Sequence, residues 1–249
     1  MPKQQKPPFP HYFDTCHERV HPMTTSLDFH DILDKKDQLI ATAKRCFERG
    51  LQTNAGGNLS VCLETREAIV IKPSGVGYNE CTRENLQLVM MNGEILPSEL
   101  PLKPSKDLEF HLEIYRRRAD ISAIVHCHSP WATGYASAGL EIPCLTVQTV
   151  EKIGRMPLIP LNDQLGPQTA EMIGPYFDDP KIRAAVLANH GTIGTGKTLL
   201  AAQYLAEIIE ETAHIAYVRD AMVAAHGLKT PASPVFGTLK DQKMALSAE

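Results

Sequence analysis

Residues 124–129 read IVHCHS, an apolar run in which His126 and His128 occupy alternate positions. In an extended strand successive side chains point to opposite faces at a rise of about 3.3 Å per residue, so the two imidazoles project from one face, roughly 6.6 Å apart at their Cα atoms. Two imidazoles so placed can converge on one ion, but two hydrogen-bonded, half-buried histidines have the same spacing, and further ligands must decide. A box reading Pro104, Ser105, Lys106, Asp107 lies upstream, and an isolated Asn189, His190, Gly191 lies downstream. Together they outline a metal-dependent enzyme.

Bulk properties narrow the remaining classes. A chain of 249 residues with 43% hydrophobic content can bury a substantial core as one large domain or at most two. The formal net charge of -4, with no stripe of Lys and Arg, gives no basic field for nucleic acid. MPKQQKPPFP at the start has no apolar signal core, and no run of about 18 apolar residues occurs, so the expected setting is cytoplasmic, with no membrane partner. Cys16, Cys46, Cys62, Cys81, Cys127 and Cys144 are scattered without a C-x-x-C, a pattern of reduced thiols.

Residues 1–30 are rich in Pro, His and polar groups and are expected to form a flexible arm, followed by one domain over residues 31–228 and a tail over 229–249. His17 and His21 are four apart, but Pro22 follows at once and no third ligand is evident, so they are not assigned to a metal. Over residues 31–49 the spacing of Leu33, Ile40, Ala43 and Phe47 predicts a helix that Gly50 stops in a left-handed conformation. Two turn-rich boxes come next. Asn54, Ala55, Gly56, Gly57 and Asn58 precede an alternating strand at Leu59, Val61 and Leu63, and Lys72, Pro73, Ser74 and Gly75 follow an apolar stretch over 68–71. Such boxes suit an anion, although ordinary turns use the same residues.

Leu108, His111, Leu112 and Tyr115 recur at helical spacing, which predicts a helix with Ser105 as N-cap and Lys106 and Asp107 in its first turn. Free amides beside Ser105 and Lys106 then offer an anion site, Asp107 either complements the helix dipole or serves chemistry, and His111 is a packed core residue. Residues 191–198, GTIGTGKT, satisfy the phosphate-loop pattern G-x-x-x-x-G-K-[ST] between a strand over 184–188 and a long helix over about 198–225. An NTPase would need further strands and a second acidic group for Mg²⁺, and the chain after this point is one helix and a tail. The stretch is therefore read as a Gly-rich turn capped by Thr198.

GGNLS at 56–60, IKPSG at 71–75, KPSKD at 103–107, IVHCHSPWAT at 124–133 and LANHGTI at 187–193 resemble, in order and spacing, the class II aldolase/adducin family over about residues 35–225. The resemblance implies an α/β fold, a single three-layer α/β/α domain around a mostly antiparallel sheet, assembled as a homotetramer with active sites at subunit interfaces. It implies that His126, His128 and His190 bind one divalent ion per subunit, Zn²⁺ first with Mn²⁺ or Co²⁺ as alternatives. Asp107 would be a further ligand or the acid-base group. Asn58, Ser74, Gly75 and Ser105 match the family's phosphate contacts, with Lys72 and Lys106 adding charge. The partner is then a small phosphorylated sugar or sugar acid.

The family's shared chemistry stabilises an enediolate at the metal and leads to aldol cleavage, to 4-epimerisation of a pentulose phosphate, or to loss of CO₂ from a 3-oxo sugar-acid phosphate. The favoured reading is a lyase that cleaves a ketose phosphate to dihydroxyacetone phosphate and an aldehyde, with the decarboxylase and the epimerase as alternatives. Asp107 is the epimerase-like residue where the aldolases carry Glu, whereas Lys106 looks more like the decarboxylases. No tyrosine follows residue 225 to match the family's C-terminal proton donor, which is left unassigned. The metal-free scaffold type is disfavoured because all three histidines are present, and Glu151 is the fallback carboxylate.

Overall fold

The computed structural model describes residues 27–98, 100–161 and 166–229. Cys16, His17 and His21 of the expected arm, and the tail from residue 230 onward, lie outside the described residues.

Helix α1 (Phe29–Glu48) begins earlier than its apolar spacing suggested because Asp28 caps it, accepting the His30 N–H at 2.8 Å. Gly50 follows at φ +72, the left-handed stop its position called for. The buried stripe matches the predicted one in part: Ala43 is in the core and Ile40 packs against it, but Phe47 is not buried. Leu39, Thr42, Ala43 and Cys46 face the core while Phe47 is exposed.

Seven strands follow in one sheet: β1 (Asn58–Cys62), β2 (Ala68–Ile71), β3 (Gln87–Met90), β4 (Ala123–Cys127), β5 (Leu158–Ile159), β6 (Ala184–Leu187) and β7 (Gly191–Gly196). Their spatial order is β3-β2-β1-β4-β7-β6-β5, antiparallel at every pairing except β5 with β6. Strands β1, β2, β4 and β6 are buried at every residue, because helices cover both faces. Ala123, Val125 and Cys127 pack with Leu39 and Ala43 of α1 and with Ala202 and Ala206 of α6 (Leu199–Ala225). Ile124 joins Phe110 and Ile114 of α2 (Leu108–Arg117) and Ile173 of α5 (Pro167–Ile173) on the other face. Helices α3 (Pro130–Ser137) and α4 (Val147–Lys152) complete the set. This is the expected three-layer α/β/α arrangement.

The phosphate-loop match at 191–198 is not a loop, and the turn expected there is a strand. Its glycines serve packing: a Cβ on Gly194 would lie 2.5 Å from the Ala202 carbonyl oxygen and 2.9 Å from the Ala206 nitrogen, so only glycine lets α6 rest on β7. Thr198 does cap α6, accepting the Ala201 N–H at 3.2 Å.

Candidate metal centre

Strand β4 is the centre of the sheet and delivers His126 opposite Asn58 of β1 and Ile193 of β7. Alternation puts His126 on the α2 face, where its ring meets Phe110 edge-on at a centroid distance of 5.5 Å. Its Nδ1–H donates to the Thr192 carbonyl at 2.9 Å, which leaves the lone pair on Nε2. His128 stands just beyond the end of β4. His190 sits in the short turn joining β6 to β7, where Asn189 takes φ +56, a conformation Asn tolerates better than most residues.

These three histidines, which are 64 residues or less apart in sequence, form one cluster. Ring centroids are 5.1 Å apart for His126 and His128, 4.7 Å for His126 and His190, and 4.9 Å for His128 and His190. One nitrogen from each lies within 4.8 Å of the others. His126 Nε2, His128 Nε2 and His190 Nδ1 are all buried without a hydrogen-bond partner, as is Asp107 Oδ1. Buried polar atoms rarely go unpaired, and three converging imidazole nitrogens with a carboxylate beside them are a set that could hold a divalent cation. Burial pushes His128 down to about 4 and lowers His126 and His190 as well, so the rings are neutral at pH 7, the state that binds a metal.

Asp107 precedes α2 and makes no capping bond to it. Its Oδ2 lies 3.7 Å from His126 Nε2 and accepts from Asn58 Nδ2 at 2.7 Å. Burial raises the Asp107 carboxyl, opposed by His190 and the Asn58 bond. The predicted N-cap role of Ser105 is not what the structure shows. The helix starts at Leu108, and the Ser105 hydroxyl instead accepts from Asn58 Nδ2 at 2.9 Å and from the Asp107 N–H at 3.2 Å. Asn58 thus binds Ser105 and Asp107 with its two amide protons.

The remaining candidate residues lie on adjoining loops. Ser74 donates through its hydroxyl to the Pro104 carbonyl at 2.9 Å and through its N–H to the Lys103 carbonyl at 3.1 Å, and exposed Gly75 follows at φ +78. Lys72 is buried, and its ammonium donates to the carbonyls of Ala55 at 3.2 Å, Pro73 at 3.2 Å and Val76 at 2.5 Å. Burial lowers Lys72 to about 8, leaving it charged at pH 7, so it stitches the two turn-rich boxes together and presents charge rather than free donors. Lys106 is exposed beside Ser105, and the fallback carboxylate Glu151 is exposed on α4. His111 is the buried core residue expected, with Nδ1 2.7 Å from the Ser60 hydroxyl, and burial pushes it down to about 3.

Two residues with no signal in the sequence support the site. Tyr78, fully buried, donates its hydroxyl to the His126 carbonyl at 2.7 Å. Gln52, 2% exposed, accepts the His128 N–H at 2.8 Å. Neither belongs to a motif or a periodic stripe.

Residues 37–217 match the Class II Aldolase and Adducin N-terminal domain family, and the chain belongs to it. It is 33% identical over 183 residues to 5-deoxy-D-ribulose 1-phosphate aldolase of Bacillus thuringiensis serovar kurstaki, covering 74% of this chain and 84% of that one. It is also 33% identical over 190 residues to 3-oxo-tetronate 4-phosphate decarboxylase of Pectobacterium atrosepticum, covering 73% and 83%. A solved L-fuculose 1-phosphate aldolase shares the fold at a TM-score of 0.69 and 26% identity, covering 86% of this chain and 96% of that one. Family and relatives support an enzyme of phosphorylated-sugar metabolism.

Proposed function

We propose that the protein is a divalent-metal-dependent carbon-carbon lyase that cleaves a small ketose phosphate to dihydroxyacetone phosphate and an aldehyde. The observation that carries this reading is the convergence of three imidazoles, each with a buried unpartnered nitrogen, beside the Asp107 carboxylate, whose Oδ2 lies 3.7 Å from His126 Nε2. His126, His128 and His190 hold the ion, with Zn²⁺ the best fit to three imidazoles and Mn²⁺ or Co²⁺ as alternatives. Bound there, the ion supplies a Lewis acid for negative charge developing on the substrate's carbonyl oxygen.

The chain's own residues do the rest. Asn58, Ser74, Gly75 and Ser105 bind the phosphate, with Lys106 and buried Lys72 contributing charge. Asp107 Oδ1, buried and unpartnered, exchanges a proton at the carbon that carries the electron pair after bond cleavage. Asn58 holds the other oxygen, Oδ2, and thereby orients the carboxylate. A homotetramer is supported by exposed Leu200, Tyr204, Val218 and Met222 on α6 and Val147 on α4, an apolar surface of the kind subunits cover. The cysteines, scattered through the sequence without a C-x-x-C, support a cytoplasmic setting.

Decarboxylation of a 3-oxo sugar-acid phosphate is the second reading, favoured by Lys106 beside Asp107 and by the decarboxylase relative. A panel of 1-phosphorylated ketoses and 3-oxo sugar-acid phosphates, monitored for dihydroxyacetone phosphate and for CO₂, tests both. Release of dihydroxyacetone phosphate selects the first, CO₂ the second, and neither product from metal-loaded protein rejects both.

A further inference from the structure

The pairing of β4 with β1 begins at Asn58 opposite His126, and its pairing with β7 ends at Cys127 opposite Thr192. His128 therefore has a main-chain N–H with no strand to receive it, and a buried N–H needs an acceptor. Gln52 supplies one from its side chain, through Oε1 at 2.8 Å. The same amide donates Nε2–H to Asn54 Oδ1 at 2.9 Å, and that oxygen also accepts the Gly56 N–H at 2.7 Å. A single side chain thus joins the main chain of a metal ligand to the turn that ends at Asn58, the residue that holds Ser105 and Asp107.

The turn is pressed against the metal segment over this seam. A Cβ on Gly57 would lie 2.5 Å from Gln52 Oε1 and 2.7 Å from the His126 carbonyl oxygen, and one on Gly56 would lie 2.8 Å from His128 Nδ1 and 2.9 Å from Asn54 Oδ1. The position needs an acceptor and a donor on one group, which a side-chain amide supplies. The Ser129 hydroxyl, donating to the Leu51 carbonyl at 3.4 Å, adds a second and longer tie between the same two segments.

We propose that Gln52 is a positioning residue that couples the metal centre to the phosphate-binding turn, so that disturbing it weakens both sites while cutting the link at Asn54 weakens only the anion site. The inference rests on the metal and phosphate reading above. Co²⁺ and inorganic phosphate are the probes: Co²⁺ affinity by chelator competition, the visible absorption spectrum of the cobalt-loaded protein, and phosphate affinity of that same form.

Gln52→Leu should weaken Co²⁺ binding by about tenfold to a hundredfold, as loss of a ligand's supporting contact does, alter the cobalt spectrum and weaken phosphate binding. Asn54→Ala, at an exposed position, should leave the cobalt spectrum and affinity as in wild type and weaken phosphate binding. In the double variant phosphate binding should be no weaker than in Gln52→Leu alone, because both changes break one chain of contacts. Wild-type Co²⁺ affinity and spectrum in Gln52→Leu, or additive phosphate losses, would overturn the coupling. If Gln52→Leu does not fold, Asn54→Ala still decides: unchanged phosphate affinity, or a changed cobalt spectrum, overturns the proposal. A wild-type protein that binds no Co²⁺ would instead refute the metal reading, and the coupling with it.

Discussion

Replacing Asp107 with Asn separates a working carboxylate from a helix-end residue. The side chain makes no bond to the first turn of α2, so the helix loses only a charge-dipole interaction, about 0.3 to 1 kcal/mol. The Asn oxygen keeps the acceptor role toward Asn58 Nδ2, 2.7 Å away in the parent protein. Removing a buried negative charge offsets part of the remaining loss, because burial already pushes this carboxyl upward. The net change in stability should stay within about 1 kcal/mol, or roughly 2 to 4 °C in Tm for a domain of this size. Losing an acid-base group costs about 10² to 10⁴ in rate, which is about 2.7 to 5.4 kcal/mol of barrier. The expected result is a folded variant with near-parental Tm and kcat lowered at least about a hundredfold, measured at saturating substrate with metal content checked by mass spectrometry. A variant with lowered Tm and near-parental kcat would refute the assignment and leave Asp107 a structural residue.

Three further outcomes are expected. His190→Ala removes one of the converging unpartnered nitrogens, so metal content and activity should fall together, and full occupancy with full turnover would exclude it as a ligand. Gly194→Ala drives a methyl group into the α6 backbone and should destabilise the fold by about 1 to 3 kcal/mol in urea unfolding; an unchanged midpoint would refute the close approach. His111 is held neutral, its folded pKa depressed to about 3 from an ordinary 6.5, so its contribution is fully present above pH 6.5 and is lost as pH falls toward 3. In that window it contributes a slope of about 1.4 kcal/mol per pH unit, which His111→Leu should remove from the acid side of the stability profile; equal slopes at pH 7 to 5 would show that the ring is not buried neutral.

The pairing of His126 with His128 was legible in one dimension because strand geometry is local. Alternation places His126 on the face of Ile124, and that face meets α2 and Asp107. His111 declared itself a core residue by its place on a helical stripe, and Gly50 its stop by its position after that of α1. Where the reading missed, a neighbour intervened. The stripe of α1 kept Ala43 but put Leu39 and Cys46, not Phe47, against the core. Residues 191–196 became a strand because β4 and β6 offered them hydrogen bonds on both sides.

Composition, spacing and turn residues are enough to specify a two-sided sheet carrying an imidazole pair, since backbone periodicity decides which side chains share a face. They do not specify which loops meet. Gln52 and His128 are 76 residues apart, Asn58 and Asp107 49, and Tyr78 and His126 48. Lys72 reads as an anion ligand in its own box, yet folding brings the Ala55 carbonyl from 17 residues away onto its ammonium. Such contacts form only once the sheet has closed, because a buried donor takes whichever acceptor packing brings within reach, and no local pattern records that choice.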